Sequence, residues 1–131
     1  MNTISTDALV VVADGRGARV FRNKGTARAL ALHQEDLLQL MNANDDGPAG
    51  AVPPETDGKE LEEATFAKQL AQRLNRAALD DRFQQLVLVA DPQTLGQMRP
   101  LLHDQVRARL VAEIAKTLTN SPVEDIQRAL A

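Results

Sequence analysis

Two short apolar runs, each followed by an aspartate, stand out in the pattern of hydrophobic and polar positions along the chain. Residues 8–13 read ALVVVA and residues 85–90 read QLVLVA, and Asp14 and Asp91 follow them. Runs of this length, rich in Val and Leu, are typical of strands that are covered on both faces. We therefore predict two buried strands at the centre of a sheet.

Shorter segments predict an antiparallel meander in the first third of the chain. Residues 18–23, ARVFRN, continue as a second strand, and residues 28–33 predict a third, with a turn at Lys24-Gly25. Residues 37–41, LLQLM, fit either a short helical turn or an irregular strand. Residues 42–58 are dense in Asn, Asp, Gly and Pro, and this composition predicts a long, mobile, acidic loop.

The clearest helical pattern spans residues 59–79. Asp57 and Glu60 resemble a capping box at its start, and Asp80-Asp81 is expected to end it. Its apolar residues fall on one stripe at helical spacing, flanked by Phe66 and Ala77: Leu61, Ala64, Ala67, Leu70, Ala71, Leu74 and Ala78.

The second half of the chain predicts shorter elements. Asp91-Pro92 fits a helix N-cap followed by proline at the first helical position. One or two helices are predicted over residues 93–108, with a break at Pro100. Residues 110–118, LVAEIAKTL, are compatible with either a helix or a strand. Residues 121–130, which begin with a capping-box pattern, predict a last helix.

Together these elements predict a single α/β domain over residues 1–131. The sheet is mixed, with an N-terminal antiparallel meander followed by a β-α-β unit. Helices pack on the sheet, and a helix ends the chain. A chain of 131 residues, 44% of them hydrophobic, is long enough to bury one core.

The stretch Asp14-Gly15-Arg16-Gly17 raises the question of whether its glycines cradle a phosphate or turn the chain. A dinucleotide fingerprint needs a third glycine where Val20 stands, and a helix should follow, whereas "VFR" favours a strand. No Gly-Lys-Ser/Thr of a phosphate loop occurs in the sequence. Asp-Gly between two apolar runs predicts a hairpin turn, because glycine accepts positive φ without strain.

Composition narrows the classes of function. Three Phe, no Trp and no Tyr leave little for stacking on nucleic-acid bases, and zero Cys excludes thiol nucleophiles and thiolate metal sites. A net charge of -3 argues against a dedicated duplex binder. Because the N-terminal residues have no basic region and no segment approaches transmembrane length, we expect a cytoplasmic chain with no membrane partner.

Charge is nonetheless unevenly placed. Four cations follow the turn without an intervening acid, and they are candidates for binding a partner: Arg16, Arg19, Arg22 and Lys24. Nine acids and one lysine lie between residues 35 and 63. The basic and acidic stretches either form a surface that binds a partner, or they are two solvent-exposed edges whose charges have no binding role. Strand alternation sends Arg19 and Arg22 to opposite faces of the sheet, which favours the second interpretation.

The two aspartates that follow the buried strands are the main candidates for catalysis. If the strands are parallel neighbours, Asp14 and Asp91 emerge at the same edge of the sheet, where they could hold Mg²⁺ or divide acid and base roles. A metal-dependent phosphodiesterase is therefore the alternative function. The favoured interpretation is that Asp14 serves the turn and Asp91 caps a helix. Ser5, Ser121 and the two His lie in no catalytic or zinc motif, so we expect no metal and no cofactor.

Four segments in order resemble the bacterial proteins required for attachment to host cells. They are VVVADGRGARVF (10–21), FAKQLAQRL (66–74), LVLVADPQTLGQMR (86–99) and VAEIAKTLTNSPVEDI (111–126). The matching positions are mostly structural and include Arg99 and Leu118-Thr119. Many members of this family have Pro where this chain has Asp91. The family is in turn distantly similar to the central domain of archaeo-eukaryotic peptide-chain release factors.

This resemblance implies a binding or accessory protein with a link to translation. Release factors carry Gly-Gly-Gln in a loop between sheet strands and a long helix, but this chain has no Gly-Gly and no Gln within 42–58. We therefore expect a non-enzymatic protein without peptidyl-tRNA hydrolase activity. Its expected partner is a protein, or else a ribosome or RNA, and a homo-oligomer is left open. The candidate binding residues are Asp14, Gly15, Arg16, Arg19, Arg22, Lys24, Asp91 and Arg99.

Overall fold

A computed structural model describes residues 4–39 and 58–130, without the side chains of 58–63. Five strands form one mixed sheet in the order β3-β2-β1-β4-β5. The first three strands pair antiparallel, whereas β4 pairs parallel with β1 and β5 pairs parallel with β4. The strands are β1 (Leu9–Ala13), β2 (Gly17–Asn23), β3 (Leu32–Gln39), β4 (Leu86–Ala90) and β5 (Leu110–Ala115). The predicted α/β fold with its N-terminal meander is confirmed.

Helices cover both faces of this sheet. The helices of the described residues are α1 (Gly58–Leu79), α2 (Pro92–Met98), α3 (Asp104–Arg109) and α4 (Val123–Leu130), with a 3-10 turn over Arg99–Leu101. One face packs on α1, α2 and α3 through residues such as Phe66, Leu95 and Val106. The opposite face packs on α4 through Ile126. None of the helices in the described ranges is long and apolar enough to cross a membrane.

The central strands are buried because both faces are covered. All residues of β1 and β4 are buried, as their continuous apolar sequences predict. Alternate residues of β1 point to opposite helical layers, so that Val11 lies in the α1 layer and Val10 and Val12 lie in the α4 layer. Within the stripe predicted for α1, Ala64 is exposed.

The third strand begins later than predicted, at Leu32 and not at residue 28. The physical reason is Asn23, whose buried side chain accepts N–H groups from Gly25 and Ala31 at 3.0 Å each and donates to the carbonyl of Ser5 at 3.1 Å. These bonds fold residues 24–31 into a compact connection in place of a strand. The predicted Lys24-Gly25 turn is therefore the start of a longer connection, in which Thr26 N–H donates to the Ala29 carbonyl.

Two segments that the sequence left open contribute to strands within the described residues. Leu37 and Leu38 belong to β3, and residues 110–115 form β5, where a bulge opposite Leu86/Val87 shifts the register. Pro100 breaks the helical region as predicted, and His103 is the N-cap of α3 instead of lying inside a helix. The loop predicted over 42–58 lies outside the described residues apart from Gly58, as do the side chains of the predicted Asp57/Glu60 capping box.

The C-terminus of α1 is closed by a Schellman motif, in which the residue after the helix is left-handed and is usually glycine. Asp81 adopts φ 59°, Arg82 N–H donates to the Ala77 carbonyl at 2.9 Å, and Asp81 N–H donates to the Ala78 carbonyl at 3.0 Å. The guanidinium of Arg109 donates to the carbonyls of Ala78 and Phe83 and pairs with Asp81 at 3.4 Å. Arg109 thus ties the end of α1 to the start of β5.

Candidate functional site

A groove of about 590 Å³ opens where the β1–β2 hairpin turns, beside the end of β3 and the connection from β5 to α4. Its walls combine charged, amide and apolar groups: Asp14, Gly15, Arg16, Gly17, Ala18, Arg19, Leu37, Leu38, Gln39, Thr119 and Asn120. Four of the eight sequence-predicted site residues therefore meet here, namely Asp14, Gly15, Arg16 and Arg19. We call this site the hairpin groove.

The turn itself is organised by the side chain of Asp14. Its Oδ1 accepts the N–H groups of Arg16 at 2.7 Å and Gly17 at 3.0 Å, and its own N–H donates to the Gly17 carbonyl at 2.9 Å. The predicted hairpin turn is confirmed. The predicted reason is wrong, because no glycine in the described residues has positive φ. Glycine is needed at position 17 because a Cβ there would lie 2.9 Å from the Leu38 carbonyl oxygen.

The second carboxylate oxygen of Asp14 binds the chain that leads to α4. Thr119 Oγ1 donates to Asp14 Oδ2 at 2.7 Å. Burial alone would raise the pKa of Asp14, but the hydrogen bonds from Thr119, Arg16 N–H and Gly17 N–H, together with the Arg16 guanidinium, hold this pKa below its ordinary value. Asp14 is therefore a carboxylate at neutral pH, and a lowered pKa makes it a poor general base or acid there.

Arg19 forms the half-buried floor of the groove. Its Nη1 donates to the carbonyls of Thr119 at 3.2 Å and Ser121 at 2.7 Å, and its Nε donates to Gln34 Oε1 at 3.0 Å. The guanidinium also lies 4.9 Å from the ring centroid of Phe21. These neutral partners fix the orientation of Arg19 and leave its charge in place.

Arg16 lies at the exposed rim of the groove. Its charge contributes to the lowered pKa of Asp14. Within the described part of the chain, however, no carboxylate oxygen lies within 4.0 Å of the guanidinium of Arg16 or of Arg19. Asn120, also exposed, borders the same groove.

Asp91 follows β4 as Asp14 follows β1, and the pairing of Ala13 with Ala90 makes the two positions neighbours at the sheet edge. Its side chain caps α2, since Oδ2 accepts Thr94 N–H at 3.1 Å and Oδ1 accepts Thr94 Oγ1 at 2.7 Å. Both oxygens of each aspartate are thus hydrogen-bonded within the chain. The described residues contain no group of three or more His, Asp or Glu placed to hold a metal ion.

The remaining predicted site residues lie away from the groove. Arg22 points to the other face of the sheet and binds both carboxylate oxygens of Glu35 at 3.2 Å. Lys24 is 3.5 Å from Asp7, and Arg99 is 2.8 Å from Glu113. The four cations that follow the first turn, Arg16, Arg19, Arg22 and Lys24, therefore do not form one continuous surface.

Seven of the eleven described lining residues were not predicted as site residues from the sequence. Leu37, Gln39, Thr119 and Asn120 reach it only because β3 and the β5–α4 connection flank the turn. One signal was present, since Leu118-Thr119 was among the positions that resemble the host-attachment proteins. The pairing of Thr119 with Asp14, 105 positions apart, has no signature in a single sequence.

Comparison with known proteins finds one matching family and proteins that are similar in sequence or in structure. The model of bacterial archaeo-eukaryotic release factor family 12 matches residues 7–130. An uncharacterized protein of Rickettsia prowazekii (strain Madrid E) is 25% identical over 127 residues, which cover 92% of this chain and 85% of that protein.

The type II variant of the Aquifex aeolicus Ppx/GppA phosphatase, a solved crystal structure, is 13% identical with a TM-score of 0.42. The match covers 82% of this chain and 34% of the phosphatase chain. This chain therefore spans about a third of that protein, and a likeness at this level supports no inference about activity.

Proposed function

Because the chain belongs to bacterial archaeo-eukaryotic release factor family 12, we propose that it is a non-enzymatic accessory protein that acts in the cytoplasm by binding the ribosome. The observation that carries this proposal is the family match over residues 7–130, which includes every strand and helix described above. The hairpin groove, with two guanidinium groups that have no carboxylate partner in the described residues, is a candidate contact for ribosomal RNA.

The proposed role is binding without release of the nascent peptide. The resemblance to release factors implies that hydrolysis depends on a Gly-Gly-Gln loop, and this chain has no Gly-Gly pair and no Gln between residues 42 and 58. The carboxylates of Asp14 and Asp91 do not compensate for that loop, because each is engaged in a turn or a helix cap.

The resemblance to host-attachment proteins fits the same proposal as an indirect effect. A protein that acts on the ribosome would alter attachment to host cells through translation, and not by contacting the host surface itself.

Co-sedimentation with purified bacterial ribosomes tests the proposal. We expect the full chain to pellet with ribosomes at about 50 mM salt and to be released at several-fold higher salt, because phosphate contacts weaken steeply with ionic strength. Absence of the chain from the ribosome pellet at low salt would refute ribosome binding.

A second measurement separates binding from hydrolysis. Ribosomes that carry labelled peptidyl-tRNA are incubated with the chain, and a release factor with an intact Gly-Gly-Gln loop serves as the positive control. We expect no peptide release above the spontaneous rate. Release that depends on the concentration of the chain would contradict the non-enzymatic role.

A further inference from the structure

The hairpin groove concentrates positive charge on an acidic protein. The described residues of its lining include Arg16 and Arg19 but a single acid, Asp14, which gives them a formal charge of +1, where the whole chain carries -3. Several other arginines have a carboxylate partner, as Arg22 has in Glu35 and Arg73 has in Asp36. By contrast, no carboxylate oxygen of the described residues lies within 4.0 Å of the guanidinium of either groove arginine.

The carboxylate of Asp14, the one acid among the described lining residues, is already hydrogen-bonded. Three donors surround the carboxylate of Asp14, namely Thr119 Oγ1 and the N–H groups of Arg16 and Gly17. These bonds hold the pKa of Asp14 low, so the side chain stays charged, but its oxygens accept hydrogen bonds from the turn and from Thr119. Because those two N–H groups are already donated, an anion in the groove would be held by side chains instead of by the backbone of the turn.

The rest of the lining matches the other parts of a nucleotide. Leu37, with 56% of its surface exposed, offers an apolar wall, while Gln39 and Asn120 carry amides that both donate and accept hydrogen bonds. The volume of about 590 Å³ lies within the range of small-ligand sites, which is roughly 300–1,000 Å³.

We propose that the hairpin groove binds a phosphate-bearing nucleotide, with the phosphate held by Arg16 and Arg19 and the sugar and base lying against Leu37. Arg19 is pre-oriented for this role by the carbonyls of Thr119 and Ser121, whereas Arg16 at the rim is free to close on the ligand. The nucleotide is either free or one unit of an RNA chain, and only the RNA form rests on the proposed ribosome function.

Base identity should matter little at this site. All three Phe side chains are buried, with at most 2% of their surface exposed, so no aromatic ring is available in the groove to stack on a base. Recognition therefore depends on the phosphate, and AMP and CMP are expected to bind with similar affinity.

The test uses the full chain and three probes followed by NMR titration of backbone amides: AMP, adenosine and a single-stranded RNA hexanucleotide. We expect AMP or the hexanucleotide to shift the amides of the groove, and adenosine to bind at least about tenfold more weakly than AMP because it lacks the charged acceptor. AMP binding without RNA binding identifies a free nucleotide as the ligand, and the reverse identifies RNA.

Arg16→Gln is the diagnostic variant, and Arg28→Gln is its matched control, because Arg28 is also exposed and lies in the connection at the opposite end of β2. We expect Arg16→Gln to weaken binding about tenfold and Arg28→Gln to leave it unchanged. Far-UV circular dichroism verifies that both variants fold, and Asn120→Ala, which leaves the turn intact, is a second variant expected to weaken binding.

Three results would overturn the site: no response to either AMP or RNA at millimolar concentration, detectable AMP binding that adenosine matches in affinity, or equal losses of binding in the two arginine variants. The outcome is separable from that of the ribosome experiment. Ribosome binding that Arg16→Gln leaves unchanged refutes the groove as the ribosomal RNA contact and spares the proposed function. AMP binding without ribosome binding refutes the proposed function and spares the groove.

Discussion

Replacing Thr119 by Val tests whether the hydrogen bond to Asp14 holds the C-terminal segment on the sheet. Val keeps the branched shape of Thr and removes the hydroxyl that donates to Asp14 Oδ2 at 2.7 Å. A hydrogen bond to a charged group contributes about 1.5–3 kcal/mol. Both side chains are only partly buried, so water replaces part of the lost bond, and we expect the free energy of unfolding to fall by about 1–1.5 kcal/mol at pH 7.

The loss should depend on pH in a defined direction. The pKa of Asp14 is lowered in the folded state from its ordinary value of 3.8, so the charged carboxylate stabilises the fold above that pH. This stabilisation is lost as pH falls through the folded pKa, because the protonated side chain no longer attracts the Thr119 hydroxyl as strongly. The difference between wild type and Thr119→Val should therefore shrink below about pH 4.

Urea unfolding followed by far-UV circular dichroism measures the effect, since the chain has no Trp or Tyr to report by fluorescence. Thr117→Val is the matched control, because Thr117 is exposed in the same segment. NMR titration of the Asp14 carboxyl should show a higher pKa in Thr119→Val than in wild type. Equal destabilisation by the two variants at pH 7, or an unchanged Asp14 pKa, would refute the reasoning.

Further predictions concern stability. Gly17→Ala should destabilise the fold by about 1–3 kcal/mol, because its Cβ would lie 2.9 Å from the Leu38 carbonyl oxygen. Gly96→Ala should be neutral or stabilise α2 by up to about 1 kcal/mol, because no atom lies within 4 Å of its Cβ. Thermal unfolding distinguishes the two, and equal effects would contradict the assigned contact. Arg109→Ala should cost about 1–3 kcal/mol by freeing the carbonyls at the end of α1, and Arg128→Ala, with an exposed ion pair, should cost about 0.5 kcal/mol or less. If urea unfolding showed a larger loss of stability for Arg128→Ala than for Arg109→Ala, the hydrogen bonds of Arg109 at the end of α1 would not be stabilising.

Local patterns predicted the elements whose burial is uniform or strictly periodic. The strands at 9–13 and 86–90 were predictable because a strand that is covered on both faces has no polar position. The helix α1 was predictable because its apolar residues follow a 3.6-residue period. The start of β3 was misplaced because a buried side chain, Asn23, satisfies the backbone of residues 24–31. No short-range pattern reveals that Asn23 is buried.

The sequence by itself determined the α/β class, the two buried strands β1 and β4, the helix α1 and the turn at Asp14, since these depend on periodicity and on residues close together in the chain. The tertiary structure decided which side chains meet. It placed Arg19 against the carbonyls of Thr119 and Ser121, and it brought Thr119 and Leu37 to the turn through strand order. The physical reason is that hydrogen bonds and charges act over a few ångströms of space, whatever the distance along the chain.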